Sequence, residues 1–311
     1  MPGLVRLSLL FLALTSPATW ATTAGEPLVV LVSSERGAAY QEAATALLTE
    51  LERGGVAHQE VLQLSPAELA ATSRLTPRLF VALGTDASTA LVRYQAKAPV
   101  LATLLPRASF ERLSHAADSQ TLSRFSALYL DQPLSRQLDL VRLALPKARR
   151  IGVLWGEESA TQEKALESQA RARGLTLVGA RVGPGEPVFN GLKKIVEEID
   201  LLLALADSRI YNSSTLQNIL LTSFRSQVPM LAFSPAYVRA GALLSVYTTP
   251  EQIGRQAGLM VLEALQGREL GLSQFPREFR VDVNEHVART LGLNLDAREL
   301  AERLRRLERG P

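Results

Sequence analysis

Short apolar segments alternate with longer helical segments along most of this chain, and this order restricts the folds that it can adopt. Residues 28–32 and 79–83 are uninterrupted apolar runs of strand length. The stretch 38–53 has the length of a helix and stops at Gly54-Gly55. Apolar strands that alternate with helices of about ten residues or more are typical of parallel sheets covered by helices on both faces.

The same order begins again in the second half of the chain. Helices are predicted over 134–145 and about 160–173, and strands over 150–155, 175–182 and about 200–205. Two such series predict an α/β protein with two similar open, mostly parallel-sheet lobes. The crossover connections are expected to be right-handed.

The last part of the chain supplies pieces that need partners in both lobes. A strand is predicted over 241–247, a helix from 249–251 to Gly267, and an extended crossing over 278–283. Three crossings between the lobes predict a multi-strand hinge. The predicted division places residues 22–130 and about 235–277 in the first lobe, and residues 131–234 and about 278–311 in the second.

The N-terminus has the three parts of a secretory signal peptide. Arg6 precedes the apolar run 7–14, and small residues lead to Ala21. We predict a signal peptide over residues 1–21, with cleavage after Ala21 or, alternatively, after Ala18 or Ala24. A disordered or membrane-anchoring N-terminus is the other interpretation. A cleaved leader predicts an exported, periplasmic protein.

Composition excludes several classes of function. The chain has no cysteine, which excludes a disulfide framework and thiolate catalysis. A net charge of about +2 without the leader, and C-terminal arginines that alternate with glutamates, indicate no nucleic-acid partner.

Catalytic and cofactor signatures are likewise missing from the sequence. The three histidines have no metal-binding spacing, and no phosphate-binding glycine motif occurs. The adjacent acids Glu157 and Glu158 are expected to be solvated. We therefore expect no metal, no cofactor and no enzymatic activity; an exported hydrolase is the alternative.

A set of segments in the C-terminal half points to one family. The segments are Arg150–Trp155, Leu205–Ser208, Pro229–Ser234, Tyr237–Ser245, Gly254–Gly267, Val283–Asn284 and Ala288–Leu293. With them, the chain resembles the exported substrate-binding proteins of ABC transporters, which have the type I periplasmic binding protein fold, and within them the tryptophan/tyrosine-type branch. In the N-terminal half, Gly84-Thr85 fits the family's first-lobe loop. The Asp-Pro-Val segment expected after the fourth strand is replaced by residues 105–109.

The resemblance implies a periplasmic solute-binding protein. Such a protein captures a small organic ligand, amino-acid-like or aromatic, in a cleft between the lobes and delivers it to an ABC-type permease of the inner membrane. The alternative is an exported sensor or interaction protein of the same fold without a transporter. A cytoplasmic repressor with these lobes would need a helix-turn-helix where the leader stands.

The fold class predicts where a ligand binds. In open parallel sheets, ligands lie beyond the carboxyl ends of the strands, where helix N-termini offer N–H groups. The candidates are Ser33, Ser34, Glu35, Gly84, Thr85 and Asp86 in the first lobe, and Trp155, Gly156, Glu157, Asp207, Ser208 and Tyr237 in the second.

The polar candidates have a structural alternative. The hydroxyls of Ser33, Ser34, Thr85 and Ser208 are also good helix caps. The resemblance places a ligand contact at Asp207, where a carboxylate could accept a ligand's ammonium or hydroxyl, whereas capping of the following helix is the other interpretation.

The aromatic candidates are also open to two interpretations. Trp155 could stack on a ligand's ring or close the cleft, and simple lobe packing is the alternative. Tyr237 could contact a ligand or pack in the core or hinge.

Overall fold

Residues 26–310, the part described in this computed structural model, build two β-sheets with helices on both faces. The predicted signal peptide, residues 1–21, lies outside the described residues. No helix within 26–310 combines the length and the apolar character needed to cross a membrane.

The first sheet is built from the N-terminal third of the chain. Its strands are β1 (Val29–Ser33), β2 (Val61–Leu64), β3 (Leu79–Leu83), β4 (Val100–Leu105) and β5 (Phe125–Tyr129). The helices of this stretch are α1 (Ala38–Arg53), α2 (Pro66–Ala71), α3 (Thr85–Arg93), α4 (Arg107–Ala116) and α5 (Ser119–Leu122). All strands are parallel, in the order β2-β1-β3-β4-β5.

Both faces of the first sheet are buried, as its apolar strands require. Val29 and Leu31 of β1 pack with Leu47 of α1 on one face. Val30 and Val32 lie in a separate core cluster on the other face, with apolar residues of α2 and α3. The alternation of side chains along β1 thus divides the lobe's core into two layers.

The second sheet is built from the next part of the chain. Its strands are β6 (Arg150–Trp155), β7 (Thr176–Arg181), β8 (Leu201–Leu203), β9 (Met230–Ala232), β10 (Leu244–Tyr247) and β11 (Arg280–Val283). The remaining helices are α6 (Leu134–Ala144), α7 (Glu163–Ala172), α8 (Val188–Ile195), α9 (Leu216–Arg225), α10 (Pro235–Ala240), α11 (Pro250–Leu265), α12 (Glu285–Thr290) and α13 (Ala297–Arg309).

The strand order of the second sheet is β11-β10-β9-β8-β6-β7. Only the edge strand β11 is antiparallel to its neighbour; the other pairs are parallel. The predicted fold class, an α/β protein with two mostly parallel-sheet lobes, is confirmed.

One part of the predicted division is wrong. The predicted division places residues 235–247 in the first lobe, but β10 pairs with β9 and β11 in the second sheet. The physical reason is that β9, α10 and β10 form one more strand–helix–strand unit, which places β10 beside β9.

The chain returns to the first lobe only with α11. This helix packs on α1 so closely that a Cβ on Gly254 would lie 2.1 Å from the carbonyl oxygen of Ala43. A glycine at this position therefore permits contact between the two helix backbones.

Buried hydrogen bonds connect the three crossings between the lobes. Thr248, between β10 and α11, accepts a bond from Gln132 Nε2 at 2.7 Å and donates to the carbonyl of Glu278 at 2.8 Å. Arg136 Nη1 donates to Gln132 Oε1 at 2.8 Å and to the carbonyl of Pro276 at 2.9 Å. One network thus joins all three segments of the hinge.

Replacing Thr248 by valine keeps the size of the side chain but removes its hydroxyl. We expect the free energy of unfolding to fall by about 1–3 kcal/mol, because the buried amide of Gln132 and the carbonyl of Glu278 lose a partner. Denaturant titration measures the loss. The control is Thr49→Val, which removes an exposed bond within α1 and should change stability by about 0.5 kcal/mol or less. Equal losses in both variants would contradict the hinge network.

Candidate functional site

At the carboxyl edge of the first sheet, the serine that follows β1 caps α3, the helix that follows β3. Ser34 Oγ, just after β1, accepts from the amide of Ala87 in α3 at 2.8 Å. The Ser34 amide donates to the carbonyl of Leu83 at 2.9 Å. Gly84 has φ +92°, and a Cβ there would lie 2.6 Å from Ser34 Oγ and 2.8 Å from the ring of Tyr40. Glycine is therefore required at this turn.

The same edge carries two exposed carboxylates. Glu35 follows β1, and Asp86 lies in the first turn of α3, after Thr85. Burial raises the pKa of the Tyr40 hydroxyl, and the charges of Glu35 and Asp86 raise it further. Ser33 donates to the carbonyl of Glu35 at 2.8 Å. The structure thus brings the predicted first-lobe residues together in one acidic edge around Tyr40.

A surface pocket lies beside this acidic edge. Its volume is about 230 Å³, and Ser33, Glu35 and Tyr40 are among the residues that line it. The other lining residues come from β1, from Arg36 and α1, and from β2 and the start of α2, so one cation lies beside the two carboxylates of this pocket, Glu35 and Glu68. Glu35 and Tyr40 therefore border a concave surface at the end of the sheet.

In the second lobe, Asp207 organises the loop that follows β6. Its side chain is buried, and Oδ2 accepts from the amides of Glu158 and Ser159 at 3.1 and 2.9 Å and from Ser159 Oγ at 2.9 Å. Oδ1 accepts from the amide of Arg209 at 3.1 Å. A Cβ on Gly156 would lie 2.5 Å from this carboxylate. The chain's own donors thus occupy the carboxylate, and most of them come from the loop after β6. The two interpretations from the sequence, a ligand contact and a cap of the following helix, did not include this loop.

Glu158 is the residue at this edge that the sequence analysis missed. It is not a solvated acid, because Oε2 accepts from the Ser208 amide at 2.9 Å and Oε1 accepts from Ser208 Oγ at 3.1 Å. Its side chain is 19% exposed and also binds Arg112 of α4, in the first lobe. Its position in the short loop after an apolar strand is the signal that the sequence offers. Ser208 therefore positions a carboxylate and caps no helix through its side chain.

Trp155 packs in the core of the second lobe. Its side chain is 1% exposed and lies among the apolar residues of α6, α7 and the sheet. A Cβ on Gly179 of β7 would lie 2.4 Å from Trp155 Nε1. The packing alternative describes Trp155, and no face of its indole is open for stacking on a ligand in this conformation.

Tyr237 belongs to an aromatic cluster, which we define as Tyr211, Phe233 and Tyr237. The rings of Phe233 and Tyr237 lie 5.0 Å apart, and Tyr211 lies 6.0 and 6.5 Å from them. The Tyr237 hydroxyl donates to the Tyr211 carbonyl at 3.2 Å, and burial raises the pKa of both phenols. Tyr237 and Phe233 remain partly exposed, so the cluster presents an apolar surface near the ends of β8 and β9.

The chain, with two lobes and site candidates at the carboxyl ends of their strands, was compared with known protein families. The sequence profile described as "ABC transporter substrate binding protein" matches residues 59–302. This chain belongs to that family.

Relatives and solved structures agree with the assignment. A stretch of 141 residues, 44% of the chain, is 26% identical to the tyrosine-binding protein of Clostridioides difficile (strain R20291) and spans 40% of that protein's length. A substrate-binding protein with adhesive properties from Clostridium difficile, in its ligand-free, open form, superposes with a TM-score of 0.68 at 19% identity, over 87% of this chain and 96% of that one.

A further neighbour was solved with a ligand. The ABC domain from Streptococcus pneumonia in complex with L-Trp superposes with a TM-score of 0.59 at 17% identity, over 88% of this chain and 98% of that one. At this identity the likeness shows a shared fold. Within the family, the chain is a substrate-binding protein.

Replacing Asp207 by alanine removes the acceptor that holds the loop after β6. We expect a loss of about 2–5 kcal/mol in the free energy of unfolding, because several buried donors lose a charged partner. The control is Asp118→Ala, which removes a plain helix cap from α5 and should cost about 1 kcal/mol. Melting curves compare the two variants. A loss no larger than that of Asp118→Ala would contradict the organising role of Asp207.

Proposed function

We propose that this protein captures an amino-acid-like solute, preferably one with an aromatic side chain, between its two lobes and delivers it to an ABC-type permease of the inner membrane. The observation that carries the proposal is that one hydrogen-bonded hinge joins two mostly parallel sheets in a chain of the substrate-binding family. The proposal includes no catalytic step.

The charges of the first lobe support a ligand with an ammonium group. Glu35 and Asp86 are exposed beside the half-buried Tyr40, so this edge attracts a cation. The N-terminus of α3, at Thr85, carries the positive end of the helix dipole and favours a carboxylate. A zwitterion offers both charges to one edge.

The second lobe supports an aromatic side chain on that ligand. The partly exposed rings of Phe233 and Tyr237 can pack edge-to-face against a further ring. The names of two relatives agree, since one is called tyrosine-binding and another was solved with L-Trp. Trp155 and Asp207 have supporting roles in this proposal, because both are buried.

Closure follows from contacts with both lobes. A ligand that touches the acidic edge and the aromatic cluster together lowers the free energy of the closed form only, and so shifts the population toward it. The closed form would then be the one that the permease recognises.

An exported sensor of the same fold is the second candidate function. The feature that favours it is residues 105–109, which depart from the family's pattern and run from the end of β4 into the first turn of α4. A neighbouring gene for a sensor kinase, without permease genes, would favour this candidate.

Calorimetric titration with L-tyrosine and L-tryptophan tests the proposed ligand. We expect saturable binding, and at about 100 times the Kd an apparent stabilisation of roughly 2.7 kcal/mol. Asp86→Asn should weaken binding by about 10-fold or more, because a charge-assisted contact is lost. The control Glu167→Gln, on the exposed surface of α7, should leave the Kd unchanged.

The opposite results would exclude this ligand class. Absence of heat and of a melting shift with either amino acid would contradict an aromatic amino acid as the ligand. Binding that is insensitive to Asp86→Asn and Glu35→Gln would contradict the acidic edge as its site.

Export by way of the N-terminal segment is part of the same proposal. We expect the protein isolated from cells to begin near Thr22. An apolar run of the length found in leaders is followed by small residues up to Ala21, which is the predicted cleavage site. N-terminal sequencing of the fractionated protein measures this. Recovery of the chain with Met1 intact in the cytoplasmic fraction would contradict export and, with it, the delivery of solute to a permease.

A further inference from the structure

Two charged side chains join the lobes away from the hinge. Arg112 lies on α4 of the first lobe, and Glu158 follows β6 of the second. Arg112 Nη1 donates to Glu158 Oε1 at 2.7 Å. The three hinge segments are the connections between β5 and α6, between β10 and α11, and between α11 and β11. Among residues 26–310, no other side-chain hydrogen bond connects the two lobes outside these segments.

Both partners are held by their own lobes before they meet. Arg112 Nη2 donates to Ser109 Oγ, one turn earlier on α4, at 3.2 Å. Glu158 is fixed by the amide and hydroxyl of Ser208 at 2.9 and 3.1 Å. Because both side chains are already oriented, forming the pair costs less side-chain entropy than an ion pair between two free chains.

The helix that carries Arg112 is itself tied to the hinge. The amide of Arg107, at the start of α4, donates to Asp131 Oδ2 at 2.6 Å. Asp131 directly precedes Gln132, which belongs to the buried hinge network. The position of Arg112 therefore depends on the same segment about which the lobes would rotate.

We propose that the Arg112–Glu158 pair is a latch that stabilises, before any solute binds, the arrangement of the lobes in which the two side chains meet, which we call closed for this inference. Opening the lobes separates the two charges, so the pair contributes to the closed state alone and shifts the population toward it. For a pair of this exposure, the closed-to-open ratio should be raised by about 1.5- to 5-fold. The inference rests on the two-lobed fold and its hinge and does not depend on the identity of the solute.

The experiment measures the distance between the lobes in ligand-free protein. Because the chain has no cysteine, Ala70→Cys on α2 and Asn190→Cys on α8 place one spin label on each lobe without other changes. Both sites are exposed, and their helices flank β2 and β7, the edge strands away from the hinge. Electron–electron distance measurements then give the closed and open populations.

We expect Arg112→Ala and Glu158→Gln each to lower the closed-to-open ratio by about 1.5- to 5-fold. High salt should do the same to the parent and much less to the variants, because it screens the ion pair. The control is Arg171→Ala, which breaks a 2.8 Å pair inside α7 and should leave the distances unchanged.

Two results would overturn the latch. One is a distance distribution that is the same in the parent, Arg112→Ala and Glu158→Gln at low salt. The other is a loss of L-tyrosine binding in Arg112→Ala without any change in the ligand-free distances, which would make Arg112 a ligand contact instead. Melting curves of Glu158→Gln, which keeps the shape of the side chain, separate either result from misfolding.

Discussion

The buried guanidinium of Arg136 is the interaction on which the arrangement of the two lobes depends. It donates to Gln132 and to the carbonyl of Pro276, forms a bidentate pair with Glu308 at 2.5 and 3.0 Å, and lies 4.4 Å from the ring centroid of Phe279. A buried charge is tolerated only when its donors are satisfied. Because these partners come from separate hinge crossings and from the C-terminal helix, satisfying one charge fixes the relation between several distant segments.

The carboxyl edges of the two sheets are built in different ways. In the first lobe, polar groups remain at the surface, where Glu35 and Asp86 are exposed. In the second lobe, the carboxylate of Asp207 is buried and accepts hydrogen bonds from its own lobe. Its neighbour Ser208 orients Glu158 toward the first lobe. The buried acid therefore makes the loop rigid, and the rigid loop presents the charge that meets the other lobe. The proposed site of solute capture and the contact between the lobes therefore both lie at the carboxyl ends of the strands.

Most strands and helices could be predicted because their signals are local. The boundaries 79–83 and 150–155 were predicted as observed, since uninterrupted apolar runs end at turn residues. Residues 107–129 form α4, α5 and β5, which the local pattern does not predict; charged residues separate the apolar residues of α4, and α5 is a single turn of four residues. Residues 235–247 belong to the second lobe because β10 pairs with β9, the strand before it, and with β11, and the apolar pattern alone does not specify these pairings.

The sequence by itself determined the fold class, the family resemblance and the sheet edges where the site candidates lie. These features follow from the spacing of apolar residues and motifs, which is a local property of the sequence. Only the tertiary structure decided what each candidate does. Trp155 and Asp207 are residue types that often contact ligands. In the structure, Trp155 is buried in the core, and Asp207 is buried and hydrogen-bonded to a loop. Arg112 and Glu158, 46 residues apart, form a pair only because two separately folded lobes bring them together. Burial and long-range contact depend on packing in three dimensions, and a one-dimensional pattern does not contain them.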